Sequence, residues 1–298
     1  TFDLEQMGYA GRALRAIRKG LKKPNGMLLT SGPTGSGKST SLYALIKEIK
    51  DDSINIVTLE DPVEYKMDGV NQIQVNSEVG LTFATGLRSI LRQDPNVVMV
   101  GEIRDAETAN LAVQAALTGH LVFSTLHTNS AAGVLPRLLD MEIEPFLIAS
   151  TVNTIIGQRL VRRVGPKRDA YWSSPLETKS ILDTIGHLLT KNKEDVARVS
   201  ADLGYKDLPL ANQTAYTLVK GRDTPASPHG YAGRAGLYEV MEVTDEIQQL
   251  IVSRSTSAEI QRKAVEQGMV TMRQDGYLKA LQGITTLEEV NRVTSDTA

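Results

Sequence analysis

Gly32-Pro33-Thr34-Gly35-Ser36-Gly37-Lys38-Ser39 matches the pattern G-x-x-x-x-G-K-[ST] in full, and Thr40 continues it. The apolar run Met27-Leu28-Leu29 stands before it. A helical pattern over 38–50 follows, with Leu42, Leu45, Ile46 and Ile49 on one face. Strand, glycine-rich turn and helix, in that order, is the setting in which this pattern cradles phosphates. Glycines let backbone N–H groups converge on phosphate oxygens, and the helix N-terminus adds positive potential. Gly32, Pro33, Thr34, Gly35, Ser36, Gly37, Lys38, Ser39 and Thr40 are therefore the candidate nucleotide-binding residues. Lys38 supplies a point charge for the β- and γ-phosphates, and the Ser39 hydroxyl is a candidate Mg²⁺ ligand.

Outward from this turn, apolar runs recur at 54–59, 97–100 and 121–126. They read as buried strands of a largely parallel sheet. Helical patterns lie between them, over 82–92 and from an Asp105 N-cap to about Leu117. Strand–helix alternation predicts an α/β fold. Beyond Val164 the character changes. Residues 165–230 carry Gly-Pro, Ser-Ser-Pro and Thr-Pro-Ala-Ser-Pro-His-Gly, which punctuate loops around one helical stretch containing Ile181, Leu182, Ile185, Leu188 and Leu189. After Leu237 the pattern reads as helical again, with capping boxes at Thr256/Glu259 and Thr286/Glu289. The resulting division is a stub over 1–23, a core over 24–164, an insertion over 165–230 and a helical subdomain over 231–298.

The 298 residues are 41% hydrophobic and 23% charged, an ordinary globular composition. A net charge of −2 supplies no global basic field for nucleic acid. The absence of cysteine excludes disulfides and thiolate zinc sites. The apolar runs are too short to span a bilayer. The chain opens on Thr1, so a fragment of a longer, cytoplasmic protein is expected.

Two acidic segments end strands: Thr58-Leu59-Glu60-Asp61-Pro62-Val63-Glu64 and Gly101-Glu102-Ile103-Arg104-Asp105. An acid at a strand end beside a phosphate loop holds Mg²⁺ through water or polarises the attacking water, and Glu102 is that acid. Glu64 and Glu60 are candidates to reach the same γ-phosphate from the neighbouring strand. His120 and His127 bracket a strand seven residues apart, so they point to opposite sides or ends and form no metal pair. His127, at the C-terminal end, faces the phosphates; the competing reading is an ordinary core or surface histidine. Arg88 and Arg92 share one helix face. They form either a solvated basic face or a pair offered to a neighbouring subunit's phosphates, which the planar guanidinium fork matches. Arg159, Arg162, Arg163, Lys167 and Arg168 read as a solvated face after a helix, with docking as the alternative.

GPTGSGKST (32–40), TLEDPVE (58–64), LRSILRQDPNVVMVGEIRDAETA (87–109) and TGHLVFSTLHTN (118–129) occur in that order. Together they resemble the motor ATPases of type II secretion and type IV pilus assembly. GYAGRAGLYEVMEVT (230–244) and GMVTMRQDGYLKALQGITTLEEVNRVT (268–294) resemble the assembly and secretion branch rather than the retraction branch. The resemblance implies a RecA-like P-loop NTPase core with a mainly helical C-terminal subdomain, and a homo-hexamer using ATP and Mg²⁺. It implies that Glu64 and Glu102 flank the γ-phosphate and that His127 senses it. Arg88 and Arg92 then act from the neighbouring subunit, and Arg234 is a further arginine of the nucleotide site. Lys38 and Ser39 keep the roles already given, with Ser39 and Glu102 on the metal. The implied partner is an inner-membrane platform protein, reached at the cytoplasmic face of the membrane, with no nucleic acid. Pilus assembly is the expected output; the alternatives are secretion, retraction, a low-turnover nucleotide-dependent scaffold and a nucleic-acid translocase. There are two departures. Members usually carry two CxxC pairs binding zinc between the segments matching Gln158-Arg159-Leu160 and Gly233-Arg234, and this chain has none. Packing around the Ile181–Leu189 stretch is expected to replace that clip. Members also carry preceding domains, one of which contributes arginines and rotates against the core.

Overall fold

A computed structural model gives the fold, described for residues 2–33 and 37–296. Thr34, Gly35 and Ser36 of the phosphate loop lie outside the described residues. Nine strands are present among those described: β1 (Gly26–Ser31), β2 (Ile56–Glu60), β3 (Asn71–Gln74), β4 (Val97–Val100), β5 (Leu121–Leu126), β6 (Val152–Val164), β7 (Arg168–Trp172), β8 (Thr217–Gly221) and β9 (Tyr231–Glu242). Seven form one sheet in the order β3-β2-β4-β5-β1-β6-β9, while β7 and β8 pair separately. All neighbours from β3 to β6 run parallel, and β9 returns antiparallel to β6. Strands β1, β2, β4 and β5 are buried along their whole length. Helices cover both faces, which is why these strands read as largely apolar runs, broken only by buried polar residues such as Thr58, Ser124 and Thr125.

One face carries α1 (Gly11–Leu21) and α2 (Lys38–Ile49), packed through Ile17, Leu42, Leu45 and Ile46 against Leu28, Phe123 and Ile156. The other carries α3 (Phe83–Leu91), α4 (Ala106–Leu117), α5 (Val134–Asp140), α6 (Pro145–Thr151) and the later α9 (Asp245–Val252) and α10 (Ser257–Glu266). Asp105 caps α4 as the sequence indicates, its carboxylate accepting the Thr108 N–H at 2.7 Å. A third cluster joins α7 (Pro175–Ile185), α8 (Val196–Leu203) and β8 to α11 (Met272–Leu281) and α12 (Leu287–Thr294). Ile181, Ile185, Leu189, Leu203 and Leu218 pack there with Tyr277, Leu278 and Val290, so the cysteine-free segment is held by apolar burial.

Several expectations change. Residues 2–21, read as a stub, pack into the core, with Leu4 and Tyr9 each 1% exposed. The stretch before the basic cluster is not a helix but β6, thirteen residues rich in β-branched side chains. Nor is that cluster a uniformly solvated face. Arg159 is buried; it donates to Val293 O at 2.8 Å and Asn129 O at 3.2 Å, and lies 3.0 Å from Asp296. Arg168 donates to Gly165 O at 3.0 Å and Val164 O at 2.9 Å. The stretch after Leu237 continues as β9 to Glu242 before the helices begin.

The capping box at Thr286 is only half made. Thr286 accepts the Glu289 N–H, but the Glu289 carboxylate turns instead to β6. It accepts Arg162 N at 2.9 Å, Arg162 Nε at 3.0 Å and Arg292 Nη2 at 2.7 Å. Burial pushes this carboxyl up, but the two guanidinium groups outweigh it and hold it at about 2. Its unfolded value is about 4.3. The contribution to stability is therefore fully present above about pH 4.3 and is lost as pH falls through the folded value. Both arginines are partly exposed, which limits it to about 1–3 kcal/mol. Urea titrations should show Glu289→Gln less stable by that amount at pH 6, with the difference shrinking steadily towards pH 3. A difference independent of pH removes the ionic account.

Candidate nucleotide site

Parallel strands all end on the same side, and ligands of open α/β sheets gather there. A cavity of about 720 Å³ opens at that edge. From α2 come Lys38, Ser39 and Thr40; Glu60 ends β2, and Asp61 and Glu64 follow it; Glu102 follows β4 and His127 follows β5. Arg234 and Tyr238 reach it from β9. Gly37 precedes α2 with φ of 87°, a backbone conformation that costs glycine little.

Lys38, His127 and Glu102, which line the cavity, form a contact chain that Arg104 extends beyond it. Lys38 Nζ lies 2.7 Å from His127 Nδ1. His127 Nε2 lies 3.4 Å from Glu102 Oε2, and Glu102 Oε1 lies 3.1 Å from Arg104 Nη2. An ammonium can only donate, so Nδ1 accepts and the imidazole proton sits on Nε2, towards Glu102; this tautomer is inferred from the network. Burial pulls the Lys38 ammonium down to about 8, with the Glu102 charge opposing.

The other expected residues divide. Glu64 lines the cavity and is exposed. Glu60 also borders it, but its carboxylate is taken up by the Tyr43 hydroxyl, Thr58 Oγ1 at 2.7 Å and Gln72 Nε2 at 3.2 Å. It is thus a structural acid of the strand end rather than a second group facing phosphate. Arg88 on α3 and Arg92 just after it are exposed and do not line the cavity; Arg88 pairs with Glu107 at 3.0 Å. Arg234 lies on the rim between the cavity and a groove of about 530 Å³, with no ion pair among the described residues. His120 is buried at the other end of β5, its Nδ1 3.0 Å from Ala115 O, so the two histidines are separated as their spacing indicates.

Mg²⁺ that arrives with a nucleotide takes most ligands from phosphate and water and one or two from protein oxygens. The exposed Ser39 hydroxyl in the first turn of α2 and the Glu102 carboxylate fit that donor set.

The residues that sequence reasoning missed hold the site from behind. Tyr9 Oη lies 2.9 Å from Ser41 Oγ, which donates to Gln158 Oε1 at 2.7 Å, tying the N-terminal segment to α2 and β6. Tyr43 joins α2 to the segment after β2. The one signal in the sequence was a tyrosine on an apolar helix face, whose hydroxyl needs a partner.

The family described as Type II/IV secretion system protein matches residues 1–292. This chain belongs to that family. Type II secretion system protein E of Xanthomonas campestris pathovar campestris is 44% identical over 297 residues, covering 99% of this chain and 48% of that protein. The type IV pilus assembly ATPase PilB of Myxococcus xanthus is 42% identical over 288 residues, covering 97% of this chain and 47% of that protein. A crystal structure of the pilus retraction motor PilT with bound ADP matches with a TM-score of 0.67 at 28% identity, covering 99% of this chain and 67% of that one. The chain therefore has the α/β P-loop fold of the secretion and pilus ATPases, and spans about half the length of the curated Type II/IV secretion system relatives it matches.

Proposed function

We propose that this chain is the ATP-hydrolysing core of a motor in a type II secretion or type IV pilus assembly machine. The observation that supports it most is the Lys38–His127–Glu102 contact chain, with Glu64 on the same cavity. In this reading Lys38 leaves His127 for the β- and γ-phosphates, and His127 is freed to register the γ-phosphate. Glu102 orients and polarises the attacking water, and Glu64 works from the β2 side. Ser39 and Glu102 are the residues that would hold Mg²⁺, which would neutralise charge at the phosphates when bound. The protein makes no covalent intermediate; its work is positioning and electrostatics.

The expectation of pilus assembly gives way to the coarser reading, because secretion and pilus relatives match the same residues at 44% and 42% identity. The retraction motor is more distant at 28%. A homo-hexamer fits Arg88 and Arg92, which are exposed and stand away from their own cavity; in this reading Arg88 exchanges its Glu107 partner for a neighbour's phosphate. Among the described residues no helix is long and apolar enough to cross a membrane. In this reading a platform protein of the inner membrane, met from the cytoplasm, provides the membrane contact. ATP turnover per subunit should rise with protein concentration as neighbouring subunits complete each site. A flat, near-zero rate with intact ATP binding overturns the motor reading for this chain and leaves a nucleotide-dependent scaffold.

A further inference from the structure

We infer that Tyr43 is a positioning residue for Glu64, its hydroxyl setting where that carboxylate meets the nucleotide; this rests on the reading of Glu64 just given. Tyr43 lies on α2, the helix that also carries Lys38 and Ser39, and is 2% exposed. Its hydroxyl bridges the last residue of β2 and the segment after it. It donates to Glu60 Oε1 and accepts the Glu64 backbone N–H at 3.2 Å. Glu60 is a fixed anchor, because Thr58 Oγ1 and Gln72 Nε2 also hold it.

Around Glu64 the segment is held from other elements: Gln72 Nε2 donates to Tyr65 O at 2.8 Å, and Arg104 Nη2 lies 3.9 Å from Asp61 Oδ2. Asp61, Pro62, Glu64 and Tyr65 are all exposed. The edge strand β3 secures the flanks: Gln74 Oε1 accepts the Val63 N–H at 3.1 Å, and Gln72 Oε1 accepts the Met67 N–H at 2.7 Å. Tyr43 is the tie at Glu64 itself. Its ring adds a second grip, since Phe2 packs edge-on against both Tyr43 and Tyr65, with centroids 5.3 and 4.5 Å away. The helix that holds the phosphates and the acid beyond β2 are thus joined through one hydroxyl. Burial first, then Glu60, pushes this phenol up to about 12, so it stays a donor in any assay near neutrality.

Phenylalanine keeps the ring and removes only the tie. In steady-state ATP hydrolysis, Tyr43→Phe should lower kcat about tenfold and leave KM for ATP within about twofold, the pattern of a misplaced group rather than lost binding. In a Glu64→Gln background the same change should add nothing, because its effect runs through that carboxylate. Hydrogen exchange of the peptide over 61–67 should accelerate in Tyr43→Phe while the rest of the sheet is unchanged. Losses that multiply in the double variant, a raised KM with unchanged kcat, or unaltered exchange at Glu64 each overturn the inference. If the unsubstituted chain shows no turnover under any condition, the motor reading fails, and the exchange result alone still decides whether Tyr43 tethers Glu64.

Discussion

Glu102→Gln is expected to leave a site that binds ATP and barely hydrolyses it. Turnover should fall by about 10²–10³-fold while ATP affinity changes by less than about threefold. The amide has the size of the carboxylate, so packing against the end of β4 survives. What goes is the charge that lies 3.4 Å from His127 Nε2 and 3.1 Å from Arg104 Nη2. A neutral amide polarises water poorly and no longer favours the imidazole proton on Nε2. Single-turnover hydrolysis alongside binding of a fluorescent ATP analogue separates the two quantities. Unchanged turnover removes Glu102 from the reaction, and lost binding recasts it as a metal-holding group alone.

Lys38→Ala should weaken nucleotide binding by about 10²-fold or more, because in the proposed reading it removes the charge that meets the phosphates. The pH dependence makes this specific. Burial holds the Lys38 ammonium at about 8. Phosphate oxygens placed beside it favour the charged form and raise that value on binding. The bound state then carries more protonated lysine than the free state, so the affinity contribution is fully present below about pH 8 and declines about tenfold per pH unit above it, until the bound value is reached. Calorimetry at pH 8.5 in buffers of different ionisation enthalpy should detect proton uptake on binding. Lys38→Ala should abolish both the uptake and the slope. A slope that persists in the variant assigns the titration to another group.

How far the sequence is legible depends on how local the determining physics is. β1, β4 and β5 were readable because a strand covered by helices on both faces is mostly apolar, its few polar residues, such as Ser124 and Thr125, being small and buried. α2 and α4 were readable from one apolar face and, for α4, the Asp105 cap. β3 escaped because Asn71-Gln72-Ile73-Gln74 is an edge strand with no apolar run. β6 and β9 were hidden for a related reason. Their outer halves extend past β1 as a two-stranded ribbon, where Arg159, Arg162 and Arg234 mix charge into the pattern. α1 was taken for a lead-in because its four basic residues dominate its composition, although Leu14, Ile17 and Leu21 face the core.

The sequence by itself determined the phosphate loop, the order of the acids and histidines along the chain, the central strands and the absence of a cysteine-held zinc. These depend on neighbouring residues and on composition. Tertiary structure decided which of those groups meet. Lys38 and His127 are 89 residues apart and touch only because β1 and β5 are adjacent and parallel, in a register that places Ser31 beside Leu126. It also decided that Glu60 is held inside while Glu64 faces the cavity, and that Glu289 leaves its own helix cap for two arginines. A carboxylate takes whichever donors sheet order and helix packing bring within about 3 Å, and no local pattern encodes that choice.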